Sequence, residues 1–156
     1  MPTTGAAELT ARAIIDTSLY LVLATADRTG RPWSSPVYFA HDGYAKFFWV
    51  SAPEAAHSRN IAVRPQVGIV IFDSHAPIGT GQGVYMSAVA EQAGGEDLAQ
   101  GMETFSRRSL AHGGAGWTVG DVQADSGLRL YRAIADSYSI LAKDGRPDHR
   151  IPANPA

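Results

Sequence analysis

Three apolar runs separated by short glycine-containing breaks dominate the first half of the chain: Leu19–Thr25, Trp33–Ala40 and Tyr44–Ser51. Their lengths, β-branched and aromatic content and polar borders predict strands. Asp27-Arg28-Thr29-Gly30 and His41-Asp42-Gly43 lie between them, and the glycines supply the positive φ that tight hairpin loops need. An antiparallel meander is expected. After it, Ser51 is an acceptable N-cap for a helix opened by Pro53-Glu54, carrying His57-Ser58-Arg59-Asn60-Ile61 and ended by Pro65. Gln66 to Asp73 is the fourth strand; its almost unbroken apolar run implies burial on both faces. Val84 to Glu91 is the fifth, beyond a loop at Pro77-Ile78-Gly79-Thr80-Gly81.

The remaining pattern is helical at both flanks. Leu9, Ala13 and Ile14 recur at helical spacing within Ala6–Thr17, with Arg12 and Asp16 opposite them, so a short amphipathic helix should cap the sheet. Glu96 to Leu110 gathers Leu98, Met102 and Phe105 on one face and ends on Arg107-Arg108, cations suited to a helix C-terminus. His112 to Gly116 reads as a flexible loop. Leu128 to Leu141 alternates as a closing strand bent near Ala135-Asp136, and Pro147 to Ala156, with three prolines, reads as an extended tail, frayed or packed on a partner. The chain is therefore expected to form one domain over residues 1–156: a helix over 1–18, a barrel with inserted helices over 19–142 and a tail over 143–156.

Composition narrows the function classes. A chain of 156 residues with 45% hydrophobic content suffices for one true core. Thirteen Lys and Arg against fifteen Asp and Glu leave a net charge of −2 and little general attraction for nucleic acid or an anionic membrane. The longest apolar runs fall short of the roughly 20 residues that a membrane helix needs. The first residues show no basic region leading into an apolar segment, and the absence of cysteine excludes disulfides and thiolate chemistry; together these fit a cytoplasmic protein. The five histidines show no pairing suited to a zinc helix, and no nucleophile-elbow motif is present, so no metal site is expected. Gly79-Thr80-Gly81-Gln82-Gly83 leads into a strand rather than a helix, so it is not a dinucleotide fingerprint.

His57, Ser58 and Arg59, at the start of the second helix, are the donors best placed for an anion: a helix N-terminus, a hydroxyl, an imidazole and a permanent cation. A solvated polar helix face explains them equally well on the residues alone.

The order and spacing of these features carry a resemblance. A strand, a D-x-x-G turn, Pro36-Val37 in the second strand, Trp49-Val50-Ser51 ending the third, His57 to Ile61 and Arg64-Pro65 resemble the pyridoxamine-phosphate-oxidase-like, FMN-binding split-barrel family from about Leu19 to Glu91. The resemblance implies a mainly β fold, a six-stranded antiparallel split barrel with helices over its openings. It also implies a homodimer with a flavin in each interfacial groove, and Trp33, Phe47, Phe48, Tyr85, Trp117 and Tyr131 are an aromatic load that such an interface would absorb. The implied cofactor contacts are Ser34, Ser35, Pro36 and Val37 along the ring, Trp49, Val50 and Ser51 beside it, His57, Ser58 and Arg59 at the phosphate, and Gln82 near a flavin-contacting strand start. Many relatives have lysine where this chain has His57, eight residues before Pro65; a bound phosphate would favour the imidazolium.

The implied function is an FMN-dependent oxidoreductase moving a hydride or electrons to or from a small organic substrate or a reduced nicotinamide. Members that oxidise pyridoxamine phosphate carry Arg-Leu-His-Asp-Arg late in the chain; here Arg129-Leu130-Tyr131-Arg132-Ala133 lacks the His and the final Arg, which argues against that substrate. A deazaflavin-dependent reductase is an alternative that would need Arg28, Arg31, Arg59 and Arg64 to form a basic groove for an anionic tail. A non-catalytic flavin or haem-binding module is another, and its haem form would need His75, His112 or His149 at the iron.

Overall fold

The computed structural model describes residues 5–156. Helix α1 spans Ala6–Thr17, and strands β1 (Tyr20–Ala26), β2 (Pro32–Tyr38), β3 (Ala40–Asp42) and β4 (Lys46–Ser51) follow. Helix α2 (Ala56–Val63) leads to β5 (Gln66–Phe72) and β6 (Gly83–Gln92). Helix α3 (Gly95–Ala111), a short 3-10 turn at Val119–Val122, β7 (Arg129–Leu141) and β8 (Arg150–Pro152) complete the chain.

All pairings are antiparallel, in the order β2-β1-β5-β6-β7-β4-β3, with β8 added beside β7. The two ends of this path, β2 and β3, are separated in sequence by Phe39 alone. A sheet whose ends are adjacent in the chain must curl until they meet, so covalent continuity rather than a ladder completes the barrel. The mainly β split barrel expected from the sequence is therefore present, with eight strands among the described residues instead of six. The run Trp33–Ala40 divides because Phe39, fully buried, turns the corner from β2, which pairs with β1, to β3, which pairs with β4. The tail contributes the other extra strand.

Local chemistry accounts for the turns. Gly30 (φ +87°) closes the β1–β2 loop. Between β3 and β4 the turn runs one step later than expected: Gly43 (φ +58°) and Tyr44 (φ +59°) are its central residues, the positive-φ pair of a type I′ turn. In the closing strand the register slips at Ser87/Ala88, opposite Ser137 and Ala135, leaving Asp136 as the extra residue where the bend was expected.

The inner core holds Leu21, Leu23, Phe39, Phe47, Trp49, Ile69, Ile71, Val84 and Tyr131, among others, with α1 and Ile61 of α2 closing the openings. The face of α1 differs from expectation. Ala11 and Ile15 are buried with Ala7 and Ile14 beside them, whereas Leu9 is exposed, because the inward stripe runs 7, 11, 14, 15. Similarly, β5 alternates rather than being buried on both faces: Val67, Ile69 and Ile71 point inward, while Gly68 and Val70 are half-buried. Both-sided burial occurs on β4 and β7 instead. Phe48 and Leu130 point outward into a second core with Met102, Val122 and Ala93, beneath α3. Lys46 and Arg132 both pair with Asp97 of α3 at the edge of that contact, and hydrogen bonds from Lys46 and then Arg132 hold the Asp97 carboxyl below its usual range.

The aromatic surplus assigned to a dimer interface is largely absorbed within the chain. Phe47, Phe48 and Tyr131 are buried in these two cores, and Trp33 is the exposed member of the set. The tail also packs on its own chain: Arg150–Pro152 adds to β7, Ala153 is buried, and Arg12 donates to the Pro155 carbonyl at 2.8 Å.

Gly101 is where α3 approaches the sheet most closely, since a Cβ there would lie 2.7 Å from the Phe48 ring and 2.9 Å from Leu130. Gly101→Ala, which in a solvated helix would gain about 1 kcal/mol, should instead destabilise the protein by about 1–3 kcal/mol of overpacking, measured as a fall in the urea midpoint at unchanged slope.

Candidate functional site

A cavity of about 510 Å³ opens between β2, the end of β4, the start of α2 and the outer helix α3. Pro36, Val37, Val50, Ser51 and His57, five of the residues expected to hold a cofactor, line it together with Tyr38, Phe105, Ser109, Ala115, Trp117 and Leu128. Strand β2 ends the ladder path and, among the described residues, pairs only with β1, so no described strand claims the backbone along its other edge.

The wall supplied by α3 is tied down by hydrogen bonds and aromatic contacts. Phe105 meets both Tyr38 and Trp117 edge to face, at 5.6 and 5.7 Å between ring centroids. The segment His112–Gly116 is held to α3: Ser109 Oγ donates to the Ala115 carbonyl at 2.7 Å, and the Gly114 N–H donates to the Ser109 carbonyl at 2.8 Å. Tyr38 Oη and His112 Nδ1 are 2.8 Å apart. Burial pushes the Tyr38 phenol up, so it stays protonated.

Helix α2 begins later than its sequence suggests. Residues 52–55 form a turn, with the Ala55 N–H donating to the Ala52 carbonyl, and Ala55 becomes the N-cap without a side-chain cap. Ser51, the expected cap, instead pairs with His57 Nε2 at 2.8 Å. The first intrahelical bond is from the Arg59 N–H to the Ala55 carbonyl, so the N–H groups of Ala56, His57 and Ser58 precede the ladder. His57 is buried, and burial lowers its pKa, leaving the imidazole neutral near pH 7. Ser58 is only 2% exposed, and its hydroxyl has no hydrogen-bond partner among the described residues. An unpaired buried hydroxyl costs on the order of 1–3 kcal/mol. The donor set, a neutral imidazole and the Ser51 hydroxyl lining the cavity with the leading amides of α2 beside them, fits a phosphate next to an apolar, aromatic-walled slot that fits a ring system; Ser58 is buried behind them and does not line the cavity.

The other expected contacts lie elsewhere. Trp49 is fully buried in the inner core, where it stacks on Tyr131 at 6.0 Å, because alternation on β4 turns positions 47 and 49 inward and 48 and 50 outward. Ser34 is exposed and Ser35 half-buried on β2, and neither lines the cavity. Arg59 faces a separate cavity beside Arg28 and Arg31. Those three of the four arginines considered for a basic groove do converge; Arg64 instead donates to the Arg28 carbonyl. Gln82 clips β6 to β7, its amide both donating to and accepting from the Leu141 backbone, and it borders a third cavity with Phe72 and Tyr85.

Tyr38, Phe105, Ser109, Trp117 and Leu128 were not singled out as site residues from sequence. Tyr38 shares the Pro36 side of an alternating strand, which is a usable signal; the others come from distant segments whose approach no local pattern encodes. Of the histidines a haem would need, none lines the cavity: His75 is exposed beside Asp73, His149 pairs with Asp144, and His112 is bonded to Tyr38. Arg129 donates to the carbonyls of Ala124, Ser126 and Leu128, and Arg132 pairs with Asp97 and Glu91, so both arginines of the late motif are occupied structurally.

Comparison with solved structures finds this fold repeatedly. A haem-binding protein of Mycobacterium smegmatis superposes with a TM-score of 0.74 at 22% identity, covering 97% of this chain and 60% of that one. The chain thus spans about three fifths of that protein's length. HutZ, the haem storage protein of Vibrio cholerae, gives 0.66 at 22% identity over 86% of this chain and 92% of its own. An F420 reductase gives 0.61 at 18% identity over 83% and 95%. At these identities the likeness establishes the fold. No curated protein matches the chain in sequence. The family model described as pyridoxamine 5′-phosphate oxidase matches residues 8–135, most of the chain, and the protein belongs to that family.

Proposed function

We propose that the protein is a flavin-binding oxidoreductase that holds FMN with its phosphate at the start of α2 and its ring in the adjoining cavity. The observation that carries this reading is the uncapped α2 N-terminus with the Ser51–His57 pair lining one end of an apolar slot. Bound flavin supplies hydride or electron transfer with a small organic substrate or a reduced nicotinamide. The chain's own groups bind and orient: Pro36, Val37, Val50 and Trp117 cover the ring, and the free edge of β2 offers amides and carbonyls to its polar rim. His57 is the proton-linked element, because a dianion beside it raises its pKa and binding then takes up a proton. A homodimer is part of the proposal, supported by the exposed apolar side chains Leu19, Tyr20, Val89 and Ile134.

The decisive measurement is the absorption spectrum of the purified protein, with the released cofactor identified by mass. FMN is expected; a deazaflavin coenzyme or haem would refute the FMN assignment. Ser51→Ala should weaken FMN binding about tenfold, as loss of a hydrogen bond to a charged group implies, with the visible band of the bound flavin unchanged. FMN affinity should rise as pH falls from about 7.5 toward 6, since the imidazole protonates on binding, and calorimetry in buffers of different ionisation enthalpy should detect the proton taken up.

Stability of the cofactor-free protein should change with pH in the opposite sense. Burial lowers the His57 pKa, so its contribution is complete above about pH 6.5 and is lost as pH falls through the lowered value, where the unfolded chain binds the proton. His41, likewise lowered by burial, adds to the same slope. The Tm should therefore fall between about pH 7 and pH 5, and less steeply in His57→Gln.

A further inference from the structure

The cavity on the other side of α2, about 500 Å³, is lined by Arg28, Arg31, Trp33, Arg59 and Asn60, together with Asp27. Three features set it apart from an ordinary solvated surface. First, none of the three guanidinium groups pairs with an acid among the described residues. The nearby carboxylate, Asp27, is committed to its own turn, where one oxygen accepts from the Thr29 N–H at 2.8 Å, the Thr29 hydroxyl at 2.7 Å and the Arg31 N–H at 3.0 Å. Second, that turn is rigid: the Gly30 N–H closes onto the Asp27 carbonyl at 3.0 Å, and Arg64 anchors the Arg28 carbonyl from the end of α2 at 3.1 Å. The arginines thus spring from a preorganised base. Third, Trp33 is 53% exposed on the edge strand, an unusual cost for an indole unless a flat partner covers it. Asn60 spends its amide N–H on Thr25 and keeps its carbonyl oxygen as an acceptor.

We infer that this cavity binds a phosphorylated purine nucleoside, the base stacked on Trp33 and the phosphate held among Arg28, Arg31 and Arg59. Stacking on an aromatic ring and charge-assisted bonds from guanidinium groups are the two contacts that such a ligand satisfies together. Three cations against one committed carboxylate suit a ligand with more than one negative charge. The site is distinct from the proposed flavin phosphate site: Ala56, Arg59, Asn60 and Val63 form the i, i+3, i+4, i+7 stripe of α2 facing this cavity, whereas His57 lies one position, about 100°, further round. The same chemistry arrives either as a free nucleotide or as the adenosine-phosphate end of a reduced nicotinamide dinucleotide. In the second case the inference rests on the flavin reading and identifies the electron donor's handle.

The test is a titration of the full chain, loaded with FMN where it takes FMN up, with adenosine 2′,5′-bisphosphate, followed by tryptophan fluorescence and calorimetry. Saturable quenching that disappears in Trp33→Leu is expected, with an affinity about tenfold lower in Arg31→Gln and an unaltered flavin spectrum in that variant. Adenosine monophosphate binding as tightly as the bisphosphate supports the site and identifies a free mononucleotide as its source. NADPH binding at least tenfold tighter than NADH supports the site and identifies the dinucleotide phosphate. No binding at millimolar ligand overturns the inference, as does displacement of the bisphosphate by FMN, which would assign the arginines to the cofactor, or tighter binding of oligothymidylate than of any mononucleotide. Flavin uptake is read separately from the visible spectrum, so failure of either reading is distinguishable from failure of the other.

Discussion

The structure depends on the burial of β4 and β7 on both faces. Phe47, Trp49, Tyr131 and Ala133 fill the inside of the curled sheet, while Phe48 and Leu130, one residue out of phase, are equally apolar and point outward. Such strands cannot face water on either side, and α3 is the cover that the outer face requires. Burying a Phe or Leu side chain is worth about 1.5–3 kcal/mol, so the docking of α3 is driven by several such terms and positioned by the Lys46–Asp97–Arg132 charges at its start. Gly101 lets the helix come close enough for the contact to form.

That cover also creates the candidate site. Once α3 lies over β4 and β7, its Phe105 and Ser109 and the following segment to Trp117 overhang the end of β4 and face β2. The opposite wall belongs to the barrel itself, where the corner at Phe39 ends β2 and leaves it with one pairing partner. The cavity is the space that remains between an outer helix and an open sheet edge. Its polar end is the start of α2, whose late first turn leaves leading amides outside the helical ladder beside the Ser51–His57 pair.

Two cavities flank α2 and differ in character. One is apolar with a neutral imidazole at its end; the other is cationic with an exposed indole. The helix separates them by rotation rather than by distance, because neighbouring positions on an α-helix point about 100° apart. His57 and Arg59, two residues apart in the chain, consequently serve different spaces. A cluster of donors in sequence is not a cluster in space unless the period of the element brings it together.

Alternation, glycine turns and helical spacing determined by themselves that this chain forms an antiparallel meander, a short helix, two further strands, a long amphipathic helix and a closing strand with a bend near Asp136, because each of these is set by contacts within a few residues. The family resemblance followed from the order of those elements, and it placed Pro36, Val37, Val50, Ser51 and His57 together. Tertiary structure decided the rest. Whether Trp49 or Val50 faces the cavity depends on which side of β4 the barrel occupies, and the face of α1 that is buried depends on where the helix docks. The partners of Arg129, Arg132 and Gln82 come from backbone and side chains that only folding brings near. The walls supplied by Phe105, Ser109, Trp117 and Leu128 could not be read locally, since they reach the site through a helix docked on the outside of the sheet, a long-range consequence of two strands having no face that tolerates water.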